Sequence, residues 1–511
     1  MRVPTQFLSS RSLPLMFAAG AALTLSACGG GGGGGGNASA PIVSAITVRA
    51  QTCSANNPYR QDAEAPTTIG TLGDEKRWLK SYMDQAYLWY HEIPGVDASA
   101  AAYSNDNDVY GSLDAYFQAL KTPTLTASGK RRDQFSFTYP TKDWNALSQT
   151  GTTLSYGAEW LYTSMTVPRI VQLAYVEPGS PAETAGLQRG DRITALDGVS
   201  IDDTTEAGVA TLNAALFPDD SAGHSFTLER GGVAVNAYLA PADVVKKPVL
   251  KTQTLAVGGA KVGYLLFNDH IATAEAQLIS AVNQFKTDGI SDLVLDLRYN
   301  GGGYLYIANE LAFMIAGKAR ASGKLFEQLR YNDKRSADTA RSAELFSEHS
   351  CGLTADYRCA DVAPLPTLDL PRVHVLVTES TCSASESIIN GLRGVDVDVR
   401  LVGATTCGKP YGFTAKDNCG ISYFPIEFQG TNAKGFGDYA DGFAPSCPVA
   451  DDLGHALGDT TEALLAGALS LRATGNCPAG SSKSAKTTEA VSSGKLIRSP
   501  VRENRILLPR S

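Results

Sequence analysis

The sequence lacks the patterns that mark several common functions. Its nine cysteines and six histidines show no CxxC or HExxH spacing, which are the ligand patterns of common zinc sites. Lys and Arg, 44 in all, are outnumbered by 52 Asp and Glu, and no basic run alternates with aromatic residues. A nucleic acid partner is therefore not expected, because binding a phosphate backbone needs a basic surface. We expect neither a metal nor another cofactor.

The first apolar run, Leu13–Leu25, is too short to span a membrane comfortably. Arg2 and Arg11 precede it, and the run closes on Leu-Ser-Ala-Cys, ending at Cys28. This order is typical of a bacterial signal peptide, here residues 1–27. The closing tetrapeptide resembles the lipobox of bacterial lipoproteins, which implies that Cys28 is lipidated. The alternative is an ordinary signal peptide with a chance cysteine.

The residues after Cys28 favour export to the cell envelope. Gly29–Gly36 is an unbroken polyglycine stretch that predicts a flexible tether, within a linker over residues 28–71. Eight further cysteines form an even set that an oxidising periplasm can pair, although the sequence does not reveal their connectivity. The glycine after Cys28 resembles the sorting pattern of outer-membrane lipoproteins. We expect a lipid anchor on the periplasmic side of a bacterial envelope, at the outer membrane.

Residues 72–148 predict a small helical domain. Aromatic and apolar residues recur at helical spacing from Asp74 to His91, and again over Leu113–Leu120. Asp74 is the expected N-cap of the first helix. An aromatic stripe at this spacing usually lies in a core, so we favour a core over a ligand-binding box.

Short alternating runs and glycine turns follow in residues 149–245 and predict a β-rich module. Residues 179–198 read GSPAETAGLQRGDRITALDG, a stretch that resembles the PDZ domains of bacterial proteases. The resemblance implies a loop and strand that receive the carboxyl end of a peptide. These expected peptide-binding residues are Tyr156, Gly157, Ala158, Glu159 and Trp160. A PDZ fold that only packs against its neighbour is the alternative.

Strands and helices alternate through residues 246–477, which predicts an α/β domain whose sheet is covered on both faces. The expected strands include 262–267, 293–297, 373–377 and 400–403. Chemistry in such sheets tends to lie where strands end and helices begin. Residues 478–511 are rich in Ser, Lys and Thr and predict a flexible tail.

Two strand-to-helix junctions carry groups suited to acyl transfer. The run DLRYNGGG, Asp296–Gly303, leaves backbone N–H groups uncovered for an oxyanion, although a tight turn would need the same glycines. The run TESTCSASE, Thr378–Glu386, places serines at the start of a helix. A serine there usually caps the helix, but the position also favours negative charge on its oxygen. These patterns alone do not decide which serine acts.

A third junction, Leu401–Gly412, places Lys409 in an apolar, glycine-rich turn. Burial disfavours the ammonium, so a lysine there can be neutral and act as a base toward serine. A solvated lysine is the alternative. His374 lies inside an expected strand and His270 follows one without a companion motif, so a Ser/His/Asp triad is the poorer hypothesis.

The three junctions, in this order behind a PDZ-like module, resemble the carboxyl-terminal processing, or tail-specific, serine peptidases over about residues 72–447. The resemblance implies a crotonase- or ClpP-like α/β catalytic domain. It implies that Ser385, the serine before glutamate in SASE, is the nucleophile and that Lys409 is the base. The oxyanion donors that it implies are backbone N–H groups of Gly301, Gly302 and Glu386.

The sequence departs from the family pattern at the site. Phe413 stands where the family often carries glutamine as an orienting group, and Cys382 and Cys407 flank the catalytic positions. A disulfide between them would rigidify the site, whereas free thiols would make it sensitive to oxidation. We expect an endopeptidase that acts on extended or C-terminal segments of exported proteins. The alternative is a non-catalytic peptide-binding or scaffolding lipoprotein on the same fold.

Overall fold

The computed structural model describes residues 48–354, 358–360, 362–478 and 494–497. The expected signal peptide, Cys28 and the polyglycine tether lie outside the described residues. In the part of the chain that the structure describes, no helix combines the length and apolarity needed to cross a membrane.

The N-terminal part is mainly helical, as predicted. Its first helix begins three residues earlier than expected, because Thr71 rather than Asp74 is the N-cap. The Thr71 hydroxyl accepts from the Asp74 N–H, and the Asp74 carboxylate accepts from the Thr71 N–H at 2.9 Å. The elements are β1 (Thr52–Ser54), β2 (Thr68–Gly70), α1 (Leu72–Ala86), α2 (Val109–Ala119), β3 (Phe137–Pro140) and α3 (Thr141–Asn145), with a π-helical turn at Ala146–Thr150 and 3-10 turns at Arg60–Asp62, Tyr90–Glu92 and Ala101–Tyr103.

The aromatic stripe of α1 and α2 lies in a core, as predicted. Trp78, Leu79 and Phe117 pack there against Ile421 and Tyr423, which come from the far end of the chain. The helical part therefore shares its core with the C-terminal part of the chain.

The middle part is a PDZ-like antiparallel sheet with strand order β10-β9-β7-β6-β5. Helix α5 buries Val209 and Leu212 in a core with Trp160 and Phe226. The elements are β4 (Thr152–Ser155), β5 (Ala158–Ser164), β6 (Ile170–Val176), α4 (Pro181–Thr184), β7 (Arg192–Leu196), β8 (Val199–Ser200), α5 (Glu206–Leu216), β9 (His224–Arg230), β10 (Val233–Leu239) and β11 (Ala242–Val245).

The six-stranded main sheet confirms the predicted α/β domain. Its order is β12-β13-β14-β17-β18-β23, and every pair is parallel except β12 with β13. Helices α6, α7 and α10 cover one face and α11 covers the other. The elements are β12 (Val249–Val257), β13 (Ala260–Phe267), α6 (Ala274–Asp288), β14 (Asp292–Asp296), α7 (Leu305–Ala316), α8 (Lys318–Ala321), β15 (Leu325–Tyr331), α9 (Ser336–Arg341), β16 (Ala343–Leu345), β17 (Arg372–Val377), α10 (Ala384–Gly394), β18 (Asp398–Gly403), β19 (Tyr411–Gly412), β20 (Lys416–Asn418), β21 (Ile421–Phe424), β22 (Phe428–Thr431), β23 (Cys447–Pro448) and α11 (Ala463–Thr474), with a 3-10 turn at Asp333–Arg335.

The tail differs from its prediction over one short stretch. Strand β24 (Lys495–Leu496) pairs with β5 of the PDZ-like sheet. Leu496 and Ile497 are buried there, and apolar burial orders a segment that composition alone marks as flexible. The other tail residues from 479 onward lie outside the described residues.

The eight cysteines of the described residues form four disulfides, which is typical of chains that fold outside the reducing cytosol. The pairs are Cys53–Cys419, Cys351–Cys359, Cys382–Cys407 and Cys447–Cys477.

The Cys53–Cys419 bridge closes a loop of 366 residues, so its removal is expected to cost more stability than loss of a short-range bridge. Replacing both cysteines by serine should destabilise the fold by about 2 to 5 kcal/mol, because the unfolded chain regains the entropy of that long loop. Calorimetry measures the loss. The matched control removes Cys351–Cys359, separated by 8 residues, and an equal or larger loss in the control contradicts the prediction.

Candidate active site

The three predicted junctions lie together at the carboxyl ends of neighbouring strands in the six-stranded sheet. Strands β14, β17 and β18 are adjacent and parallel, so the loops after them lie side by side. Leu297 and Arg298 tie the first loop to the second: the Leu297 carbonyl accepts from the Thr381 hydroxyl at 2.9 Å, and the Arg298 carbonyl accepts from Thr378.

A buried ion network stabilises the first of these loops, Asp296–Gly303, which we call the glycine turn. The guanidinium of Arg298, wholly buried, donates to Asp296 at 2.8 Å, to Asp451 at 2.8 Å and to Glu462 at 2.8 Å. Burial opposes the charge of Arg298, but the three carboxylates outweigh it and raise the pKa. The pKa of Asp451 is lowered, because the cations Arg298 and Arg189 outweigh the effect of its burial.

Asn300 connects the glycine turn to its neighbours through both of its oxygens. Its side-chain oxygen accepts from the Gly302 N–H at 2.9 Å and contacts His270 Nδ1 at 2.8 Å. Its main-chain oxygen accepts from the Cys382 N–H and from the Ser385 hydroxyl, each at 3.0 Å. Burial lowers the pKa of His270 to about 3, so the ring is neutral and its Nδ1–H is the donor. Sequence reasoning missed this pairing, whose one signal is that the two residues follow neighbouring strands.

The two serines of the SASE run occupy different environments. Ser385 is wholly buried in the first turn of α10, and its hydroxyl donates to the Asn300 carbonyl. Ser383 is the half-buried N-cap of the same helix, with φ 58° and ψ −118°. A non-glycine residue with positive φ is strained, and such strain clusters at functional sites. A Cβ placed on Gly302 would lie 2.8 Å from the Ser383 Cβ, so the glycine turn passes directly beside Ser383.

The carboxylate of Glu386 binds two of the loops together. These are the serine loop, Thr378–Glu386, and the lysine turn, Leu401–Gly412. Its Oε2 accepts from the Ser383 N–H at 3.0 Å and from the Lys409 N–H at 2.8 Å, and its Oε1 accepts from the Gly408 N–H at 2.9 Å. Burial raises the pKa of Glu386, and these donors together with Thr406 oppose that effect. The sequence predicted a role only for the backbone N–H of Glu386. In the structure its side chain acts as a clamp, because it binds the serine loop and the lysine turn at once.

The Cys382–Cys407 disulfide ties the same two segments covalently, with 5.2 Å between its Cα atoms. Its two sulfurs and the Glu386 carboxylate lie close enough together to suggest a metal site. A disulfide offers no thiolate, and the carboxylate is already bound by N–H donors, so this cluster does not fit a metal ion.

Lys409 is almost buried, at 8% exposure. Its ammonium nitrogen lies 4.1 Å from the centre of the Phe413 ring and 5.4 Å from that of Phe135. Ring faces attract the cation, while burial disfavours it. The phenylalanine that departs from the family pattern thus forms a wall of the lysine site.

The three predicted oxyanion donors differ in availability. The Gly302 N–H is bound by Asn300, and the Glu386 N–H donates to the Ser383 carbonyl at 2.8 Å. The Gly301 N–H has no hydrogen-bond partner among the residues that the structure describes. Gly301 therefore offers the donor that can bind an oxyanion without rearrangement of the loop.

Comparison with known families finds three matching segments. Residues 261–416 match the model of peptidase family S41. The chain carries an S41 peptidase domain. Residues 172–211 match a PDZ domain and residues 74–137 match the peptidase S41 N-terminal domain.

The chain is also similar to individual proteins. A carboxyl-terminal-processing protease of Picosynechococcus sp. (strain PCC 7002) is 28% identical over 242 residues, covering 45% of this chain and 49% of the relative. One from Synechocystis sp. (strain PCC 6803) is 29% identical over 277 residues, covering 51% and 56%. The chain thus spans about half the length of these curated relatives. A Bacteroides fragilis crystal structure assigned to the S41 proteases has a TM-score of 0.57 and 26% identity, covering 77% of this chain and 96% of that one.

The predicted peptide-binding residues lie on β5 and in the loop before it. The side chains of Tyr156 and Trp160 are buried in the PDZ-like core. Gly157 has φ +70° and packs against Ser180, and Glu159 pairs with Lys246 at 2.9 Å. What these five residues can offer a peptide that adds as a strand is their backbone groups, including those of Ala158.

Replacing Arg298 by methionine is expected to destabilise the S41 domain by about 3 to 5 kcal/mol at neutral pH, because three buried carboxylates lose their cation. The lowered pKa of Asp451 contributes stability above the ordinary aspartate value of 3.8, and that contribution is lost as the pH falls through the lower folded value. The variant's deficit in free energy of unfolding should therefore be largest above pH 3.8 and become smaller below it. Calorimetry over this pH range measures the deficit.

The control for this prediction is Arg400→Met, which removes the partly exposed pair with Asp398. An exposed pair contributes about 0 to 1 kcal/mol. Equal losses in the two variants, or a deficit that grows on acidification, contradict the account of the buried network.

Proposed function

We propose that the protein is an exported serine endopeptidase that hydrolyses peptide bonds with a Ser/Lys pair. The observation that carries the proposal is the shared oxygen of Glu386, which binds the N–H groups of both Ser383 and Lys409. A scaffold has no need to hold a strained serine beside a buried lysine. The matched S41 family model and the relatives support the same activity.

The local geometry favours Ser383 over Ser385 as the nucleophile. Ser383 is partly accessible at the helix N-terminus beside the glycine turn, whereas the Ser385 hydroxyl is buried and hydrogen-bonded to Asn300. A nucleophile must reach a carbonyl carbon that the oxyanion donor also reaches. Ser385, the serine predicted from the sequence, is the second candidate.

The proposed reaction runs through an acyl-enzyme. Lys409, in its neutral form, takes the proton of the serine hydroxyl as the oxygen attacks the peptide carbonyl, and the Gly301 N–H binds the resulting oxyanion. The proton then passes to the leaving amine as the C–N bond breaks. Water hydrolyses the acyl-enzyme ester and regenerates the serine.

The substrates we propose are extended or C-terminal segments of exported proteins, which the PDZ-like domain binds as an added strand. We further propose a lipid anchor at Cys28 on the periplasmic face of the bacterial outer membrane. The four disulfides support a location outside the cytosol.

Three alanine variants test the site. Ser383→Ala and Lys409→Ala should each lower kcat for an unfolded reporter by about 10⁴-fold or more, and the double variant should be little worse than either, because the two residues act as a unit. Ser385→Ala is the matched control and should keep most of the activity. Circular dichroism and peptide capture verify that each variant folds.

Loss of activity in folded Ser385→Ala, with Ser383→Ala still active, returns the nucleophile to Ser385. A parent protein that captures peptides and cleaves none favours the alternative of a non-catalytic binding protein.

The anchor is tested by Cys28→Ala. The variant should lose metabolic labelling by fatty acid and leave the membrane fraction, because no other lipid attachment is proposed. Labelling equal to that of the parent rules out Cys28 as the lipidated residue.

A further inference from the structure

A short segment of the chain's own tail occupies the edge of the PDZ-like sheet. Residues Gly494–Ile497 run antiparallel to β5, and the Ile497 N–H donates to the Trp160 carbonyl at 2.8 Å. The paired residues are Lys495 with Tyr162 and Leu496 with Leu161. The segment runs toward the start of β5 and the loop before it, which is the direction expected of a peptide whose carboxyl end approaches that loop.

The two aliphatic residues of the segment are buried by different parts of the molecule. Ile497, 6% exposed, joins the PDZ-like core that contains Trp160. Leu496, 5% exposed, packs with Leu161 and with Tyr299 of the glycine turn. Burial of both side chains favours the docked position.

Two further contacts make the docking specific. Gly494 has φ +76°, and a Cβ there would lie 2.8 Å from Thr163 Cγ2 and 2.9 Å from the Tyr162 carbonyl oxygen, so a larger residue would not fit. The Leu496 N–H donates to the Ser380 hydroxyl at 3.0 Å. Ser380 lies in the serine loop, three residues before Ser383, so the segment touches the PDZ-like sheet and the candidate active site together.

We propose that Gly494–Ile497 is a tethered ligand of the PDZ-like domain that competes with substrate peptides for the edge of β5. This edge of β5 accordingly recognises an extended segment with two adjacent aliphatic residues. Leu496 and Ile497 are this chain's own example. A tethered segment has an effective concentration in the millimolar range, so it excludes weaker free peptides until it is displaced. The competition with substrate rests on the proposed peptidase function, whereas the occupancy of β5 does not.

The test uses the full-length protein and Gly494→Val, which acts on the tail alone. Hydrogen exchange of residues 158–164 should quicken in the variant, because the edge of β5 loses its partner strand. A fluorescein-labelled peptide with the sequence of residues 492–497 should bind the variant about tenfold more tightly than the parent. Cleavage of an unfolded reporter by the variant should rise. Ile497→Asp is a second variant that should act in the same direction.

The control is Val233→Asp, at the opposite, exposed edge of the same sheet, where Val233 is 67% exposed; it should match the parent in all three measurements. Unchanged exchange and peptide binding in both tail variants overturn the proposal. A fall in cleavage overturns the competition with substrate. Faster exchange and tighter binding, with no cleavage by parent or variant, support the tethered ligand and contradict the peptidase function.

Discussion

The carboxylate of Glu386 is the interaction on which the candidate site depends. A buried carboxylate is costly unless its oxygens are hydrogen-bonded, and here the donors come from the serine loop and from the lysine turn at once. If either segment moved away, the buried Glu386 carboxylate would lose hydrogen-bond donors. The position of Lys409 relative to Ser383 is therefore set by the hydrogen bonds that the buried Glu386 carboxylate needs. The Cys382–Cys407 disulfide fixes the same two segments covalently.

The loops around this clamp are rigid for separate reasons. Arg298 compensates three buried carboxylates beneath the glycine turn, and neutral His270 orients Asn300 from the side. These supports hold Ser383 in a strained conformation that an isolated loop would abandon. A site prepared in this way needs little rearrangement when charge develops on a substrate carbonyl.

The PDZ-like module is physically continuous with the site. Arg189 of that module donates to the Tyr299 hydroxyl and to Asp451, and the docked tail packs on Tyr299 and binds Ser380. The tail segment that occupies β5 therefore contacts the glycine turn and the serine loop directly.

The sequence by itself determined the order of the three parts, the alternation of strands and helices, and the junctions that carry the glycine turn, the serines and Lys409, because periodicity and glycine placement are local properties of the chain. It determined neither the cysteine pairing nor which serine is accessible, since both depend on residues far apart in the chain. Ser383 and Ser385 are two positions apart in sequence, yet one caps a helix and the other faces Asn300. Only the tertiary structure joined Glu386 to Lys409 and the tail to β5, because the energy of burying a charge or an apolar side chain exists only when distant segments have come together.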